Sequence, residues 1–140
     1  MTDARVKAKK AMHVGTTVPV NITFGGSTAL DDVTVNSPVI AHYNADPAQR
    51  DHVAWYWQDQ GSTVSYAVIQ FKDTNQTWFG GSNKKRIDAN PPGGTSGSHK
   101  VPVPSVVGPG THSYEYLVLA YDANDNLLYA VDPDVVTENP

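Results

Sequence analysis

The chain has 140 residues, of which 39% are hydrophobic, with no cysteine and a net charge of −4 at pH 7. That length suits one domain with a single hydrophobic core, and no apolar run approaches the roughly 18 residues of a membrane-spanning helix. The lack of cysteine excludes disulfides, thiolate metal sites and a cysteine nucleophile, and the negative charge argues against a nucleic-acid partner.

Alternation of apolar and polar residues predicts the strands in chain order. The first is residues 17–24, and Pro19, which lacks a backbone donor, places it at a sheet edge. The further predicted strands cover residues 32–43, 52–58, 64–72, 99–103, 113–121 and 127–131. In the strand over residues 52–58, Trp55 shares a face with Val53 and Trp57, so we expect Trp55 in the core.

Two segments lack the alternation. The stretch Gly80–Ser98 is rich in glycine and proline and is predicted to be a long mobile loop, preceded by a short strand at Trp78-Phe79. Residues 1–14 are predicted to form an N-terminal arm ahead of one domain, residues 15–140. The expected fold is all-β: an antiparallel two-sheet β-sandwich of about seven or eight strands.

A family resemblance narrows this expectation. The stretch Val106–Val118 resembles the approach to the penultimate strand of a fibronectin type III or immunoglobulin-like sandwich, in which Tyr114 corresponds to the corner tyrosine whose hydroxyl bonds back to the backbone. Trp55 resembles the buried tryptophan of such folds, and residues 121–136 are similar to the terminal hairpin of small uncharacterised bacterial Ig-like domains. The resemblance implies an Ig-like sandwich, a fold that hosts many unrelated functions.

Motifs for catalysis and metal binding are weak. Asp122–Asn126 begins like a calcium loop, but Leu127 stands where the loop needs glycine and Pro133 where it needs glutamate, so we predict a hairpin turn. A zinc site formed by tertiary contact stays open, although the five histidines lack ligand spacing: His13, His42, His52, His99 and His112. Without a GxSxG, HExxH or phosphate-binding motif, we expect a protein that is not an enzyme and needs no cofactor or metal.

The predicted Gly80–Ser98 loop suggests one alternative function, a carbohydrate or small-ligand binding module. The candidate binding residues of this module are Tyr56, Trp78, Phe79, Lys84, Lys85 and Arg86. The basic residues would attract an anionic group and the aromatic rings would stack on a base or sugar. The competing interpretation is a solvated basic loop beside aromatic residues that close one end of the core.

The most informative pattern is apolarity on both faces of two predicted strands, within residues 64–71 and 114–121. In an Ig-like arrangement these strands share a sheet with the Trp55 strand, so their outward side chains would merge into one apolar surface. Its members are Tyr56, Tyr66, Val68, Leu117, Leu119 and Tyr121. Apolar surfaces of that size mark interfaces, unless the N-terminal arm covers this one.

These patterns together predict a β-sandwich that acts through protein–protein contacts, as a structural or self-assembling subunit or an adaptor. The expected partner is a protein, in the first place a second copy of the chain, and a membrane is not expected. With no secretory signal and no cysteine in view, we expect a cytoplasmic location.

Overall fold

A computed structural model describes residues 14–25, 33–61 and 63–139. The predicted N-terminal arm lies outside these residues except for Val14. The described residues form one 3-10 turn, Pro47–Gln49, and ten strands. The strands are β1 (Thr17–Phe24), β2 (Val33–Val35), β3 (Val39–His42), β4 (His52–Asp59), β5 (Tyr66–Phe71), β6 (Lys84–Asp88), β7 (Ser96–Pro102), β8 (Gly110–Tyr121), β9 (Leu127–Val131) and β10 (Asp134–Asn139).

The strands form two sheets, which confirms an all-β, sandwich-like fold. The smaller sheet has the order β2-β1-β4-β7, and the larger has the order β3-β10-β8-β5-β6, with β9 added beside β8. The prediction of a purely antiparallel fold with seven or eight strands is wrong. Two pairs are parallel, β1 with β4 and β3 with β10, and each joins strands that are separated along the chain by other elements.

The core lies between the sheets, where period-2 alternation directs apolar side chains inward. Val20, Ile22 and Phe24 of β1 are buried, as the sequence predicts. Trp55 is fully buried and its ring contacts aromatic residues of the larger sheet, with centroid distances of 6.4 Å to Phe71 and 6.0 Å to Tyr116. The prediction that Trp55 is a core residue is therefore confirmed.

The β1 edge prediction is right for only part of the strand. β2 pairs with Ile22–Phe24, so this end of β1 is interior to the sheet. Near Pro19, a side chain takes the place of a neighbouring strand: the Asn36 amide donates to the Pro19 carbonyl and its oxygen accepts from the Asn21 N–H. The missing donor of Pro19 therefore breaks no ladder bond.

The predicted strand over residues 32–43 is two strands that belong to different sheets. β2 joins the smaller sheet and β3 the larger one, with the chain crossing between them at residues 36–38. Ser37 fixes the crossing because its hydroxyl accepts from the Asp134 N–H at 2.9 Å and donates to the Asp134 carbonyl at 3.2 Å.

The prediction of one long loop over Gly80–Ser98 is also wrong. Its basic residues lie on β6, which pairs with β5 and places only Ile87 in the core. Lysine and arginine are common on edge strands because their charge prevents pairing with another chain. A turn follows, and β7 then begins at Ser96, whereas Trp78 and Phe79 lie in a turn rather than in a strand.

The chain end contributes a strand that the alternation analysis missed. Within β10, Val135 and Thr137 are fully buried, and the strand pairs with both β3 and β8. β8 is long enough to pair with β10 through Gly110–Glu115 and then with β9 through Val118–Tyr121. One long strand thus organises most of the larger sheet.

The predicted tyrosine corner has its expected hydrogen bond. Tyr114 is partly buried, and its hydroxyl accepts from the Gly108 N–H, six residues upstream, at 3.3 Å. The bond fixes the approach to β8 against the strand itself.

Candidate functional site

The outer face of the larger sheet carries most of the predicted interface residues. β5 and β8 pair in a register that sets Tyr66 opposite Tyr121, Val68 opposite Leu119, and Gln70 opposite Leu117. These side chains point away from the core, since the alternate residues of both strands, such as Ile69 and Val118, are fully buried. We call the group Val68, Leu117, Leu119 and Tyr121 the apolar row.

Tyr66 closes one end of the apolar row. Its ring stacks on the ring of Tyr121, with centroids 5.0 Å apart. The guanidinium carbon of Arg86, a residue of β6, lies 3.7 Å from the centre of the Tyr66 ring. The Tyr66 hydroxyl donates to the Asp125 carboxylate at 2.6 Å, which raises the pKa of Tyr66. Only 8% of Tyr66 is exposed, so it packs within the face rather than offering a free ring.

An ion-pair group closes the other end of the row. The Lys72 ammonium lies 3.1 Å from the Glu115 carboxylate and 3.2 Å from the Asp132 carboxylate. These hydrogen bonds, first to Glu115 and then to Asp132, raise the pKa of Lys72. The apolar row is thus bounded by charged groups, an arrangement typical of a protein interface with a polar rim.

The sequence analysis missed a second apolar pair on the same face. Ile40 of β3 is 52% exposed and lies opposite Val136 of β10 in the parallel register. The sequence signal for this pair is the alternation in β10, where Val135 and Thr137 are buried and Val136 points outward. It was overlooked because the acidic segment was not predicted to be a strand. The outer face therefore has apolar groups on both sides of the Lys72 ion pairs.

Tyr56 does not belong to this surface, which corrects the predicted six-residue interface. It lies on β4, in the smaller sheet, where it is 43% exposed on the opposite side of the molecule. The prediction placed β4 beside β5 and β8, but β4 pairs with β1 and β7. Tyr56 and the apolar row therefore face in opposite directions.

The structure does not gather the alternative ligand-binding residues into one site. Trp78 is 3% exposed and stacks on Phe71 at 4.9 Å, so it closes the end of the core. Phe79 is partly buried against Trp55, with ring centroids 5.5 Å apart. On β6, register places Lys84 and Arg86 on the outer face with Gln70 and Val68, whereas Lys85 alternates to the other side.

A buried carboxylate joins the two sheets. Asp51, 2% exposed, accepts from the Thr16 N–H at 2.9 Å and the His42 N–H at 2.8 Å. Its carboxylate also lies 3.1 Å from His42 Nδ1, and His42 Nε2 lies 2.7 Å from the Glu138 carboxylate. These contacts hold the start of the smaller sheet against β3 and β10. Within the described ranges, no group of three or more His, Asp or Glu residues is arranged to hold a metal ion.

The Asp122–Asn126 segment is a hairpin turn between β8 and β9, as predicted. The Asp122 carboxylate accepts from the N–H groups of Asn124 and Asn126, at 2.8 and 2.9 Å, and from the Asn126 amide. Hydrogen bonds from Asn126 lower the pKa of Asp122. Its oxygens thus stabilise the turn, and Asp125 takes the left-handed conformation at φ 62° that such turns use.

Comparison with known proteins identifies no family. No protein-family profile matches the chain, and no curated protein matches it. Among solved structures, the N-terminal domain of phage TP901-1 ORF48 is similar at 6% sequence identity and a TM-score of 0.40, covering 89% of this chain and 98% of that one. Similarity at this level assigns no role. In the part of the chain that the structure describes, no helix has the length and apolarity needed to cross a membrane.

Proposed function

We propose that this protein is a non-enzymatic, Ig-like β-sandwich that acts through protein–protein contacts as a self-assembling structural subunit, with the outer face of the larger sheet as its interface. The observation that carries the proposal is the apolar row between charged groups. Val68, Leu117 and Leu119 are each only partly buried although they lie mid-strand in the sheet. Covering these side chains with a second copy would remove apolar area from water, which contributes a favourable free energy of roughly 25 cal/mol per Å².

The area needed extends beyond the apolar row. The part of the larger sheet around the apolar row consists of β6, β5, β8 and β9. Four strands about 4.8 Å apart and about six residues long present a flat area of roughly 400 Å², whereas a stable dimer covers about 800 Å² on each partner. The Ile40–Val136 pair and the Lys72 ion pairs lie on the same face and extend it. The proposed interface therefore uses the outer face of β3 and β10 as well as that of β5 and β8.

Two further expectations accompany this proposal. The Ig-like assignment is supported by the buried Trp55 and by the hydrogen bond to the Tyr114 hydroxyl. The cytoplasmic location is supported by the absence of cysteine from the sequence.

Sedimentation of the full chain tests the proposal. We expect a dimer or larger assembly at high micromolar concentration, and dissociation to monomers in Leu119→Lys and Leu117→Lys, because a buried ammonium opposes apolar contact. Tyr56→Lys is the matched control, since it places the same charge on the opposite sheet, and it should leave assembly unchanged.

Two outcomes contradict the proposal. One is a full chain that stays monomeric at high micromolar concentration and does not begin to associate when residues 1–13 are removed. If removal does start association, those residues were covering the face. The other is an assembly that Leu119→Lys and Tyr56→Lys weaken equally, which would place the interface elsewhere.

A further inference from the structure

The outer face of the smaller sheet is polar and carries a different arrangement of side chains. Register sets Tyr56 of β4 between Asn21 of β1 and Ser98 of β7. One step along the strands, Gln58 lies between Thr23 and Ser96 in the same way. The six side chains thus form two parallel rows of three, and none of them is charged.

These rows line a shallow depression of about 320 Å³, to which Asn90 adds an amide from the turn after β6. The volume is at the lower end of the roughly 300–1,000 Å³ of small-ligand sites. Gly97 lies below it, packed so tightly that a Cβ there would come within 2.7 Å of the Trp57 ring nitrogen. Trp57 in turn donates to the Ile87 carbonyl at 3.0 Å, so the floor is fixed to the other sheet.

The lining residues exclude several classes of ligand. Phosphates and other anions are bound most strongly by Lys and Arg, and divalent cations by carboxylates, and the lining holds none of these side chains. Lys100 is the next outward residue of β7 after Ser98, one row away and opposite Ala54. A wholly apolar ligand would strip water from amides and hydroxyls without replacing their hydrogen bonds.

The lining suits a molecule with an apolar face and many hydroxyl groups. Tyr56 is 43% exposed, and an aromatic ring can stack on the apolar C–H face of a pyranose. The amides of Asn21 and Gln58 each supply donors and an acceptor, as sugar hydroxyls require. Gln58 already donates to the Thr23 hydroxyl at 3.1 Å, which holds its amide in place and leaves its oxygen to accept.

We propose that the outer face of the smaller sheet binds a neutral oligosaccharide, with Tyr56 stacked on one pyranose ring and Asn21, Gln58 and Ser98 bonded to its hydroxyls. The site is independent of the proposed assembly face on the larger sheet. Adjacent strands are about 4.8 Å apart, so the three strands span roughly 10 Å, the width of two sugar units. Because the depression is open, we expect dissociation constants on the order of 0.1–1 mM.

Amide chemical-shift titration of the full-length protein tests the proposal. The probes are neutral trisaccharides at up to 20 mM: maltotriose, cellotriose, laminaritriose, mannotriose, xylotriose and tri-N-acetylchitotriose, with trigalacturonic acid as an anionic control. We expect at least one neutral probe to shift the amides of Asn21, Tyr56, Gln58 and Ser98 in a saturable way. Trigalacturonic acid should bind more weakly than that probe.

Substitutions then assign the contacts. Tyr56→Ala should weaken binding by tenfold or more, whereas Tyr56→Phe should retain most of it, because stacking needs the ring and not its hydroxyl. Gln58→Ala should weaken binding severalfold. Leu119→Lys is the matched control on the opposite face and should leave sugar binding unchanged, whether or not it alters assembly.

The proposal fails if no neutral trisaccharide shifts these amides at 20 mM, or if the shifts map to another surface. It also fails if trigalacturonic acid binds as tightly as the best neutral probe, or if Tyr56→Ala binds as well as the parent protein. None of these results bears on whether the protein assembles through the larger sheet.

Discussion

The outer faces of the two sheets are built on the same strand alternation but carry opposite chemistry. On the larger sheet the outward positions include Val68 and Leu119, bounded by ion pairs around Lys72. On the smaller sheet, the outward positions that surround Tyr56 are uncharged amides and hydroxyls. Because the core side chains point the other way, outward residues are free to differ. The comparison indicates that one shared core holds two sheets whose outer surfaces differ in chemistry.

The largest effect is expected from a substitution in the core that lies between the two sheets. Trp55→Ala leaves a cavity between the sheets and should reduce the free energy of unfolding by roughly 3–5 kcal/mol. Chemical denaturation measures this, with Tyr56→Ala, the adjacent exposed residue, as the control. A Trp55→Ala protein with the stability of the control would mean that the two faces do not depend on this packing.

A second prediction concerns the same core and the dependence of its stability on pH. Burial raises the pKa of Tyr116 from 10.0 to about 12, so the folded state favours the neutral phenol. This stabilisation is fully present below pH 10 and is lost as pH rises toward 12. Over that pH range, the ionisation of Tyr116 should reduce the free energy of unfolding by roughly 3 kcal/mol.

Thermal unfolding between pH 9 and 12 checks this expectation. Tyr116→Phe has no ionisable hydroxyl and should lose less stability over that range, while Tyr56→Phe, at an exposed ring, should behave as the parent protein does. Equal alkaline losses in Tyr116→Phe and the parent would show that other groups control the transition.

The smallest of these effects distinguishes the two faces. A Cβ on Gly97 would clash with the Asp88 carbonyl oxygen and lie 2.7 Å from the Trp57 ring nitrogen, so Gly97→Ala must displace β6, β7 or the Trp57 ring. We expect a loss of about 1–3 kcal/mol, against less than about 0.5 kcal/mol for the exposed Ser98→Ala. Amide shifts should change around the smaller sheet and not at Leu119. Changes of equal size on both faces would show that the surfaces are coupled.

Local patterns predicted the strands better than their partners. The alternation in residues 17–24 gave the bounds of β1, and the turn at Asp122–Asn126 was recognised from residues that tolerate left-handed backbone. Pairing was not predictable in the same way, because the parallel contact of β1 with β4 depends on tertiary packing. That is why Tyr56 was assigned to the wrong face.

The strands that were missed have few apolar residues. β6 has a single buried position, Ile87, among charged neighbours, so its sequence resembles a solvated loop. β10 likewise has an acidic residue at its start and another near its end. The depression beside Tyr56 was also missed, since it is formed by rows across three strands and no single segment contains it.

The parallel contact of β3 with β10 bears on how the chain folds during synthesis. Ser37 and Asp134, which bond beside this contact, are 97 residues apart. At roughly 5–20 residues per second, a ribosome would need about 5–20 s between them, and β3 would wait that long for the strand it pairs with. Its brevity, Val39–His42, limits the exposed edge that a nascent chain could offer to its neighbours.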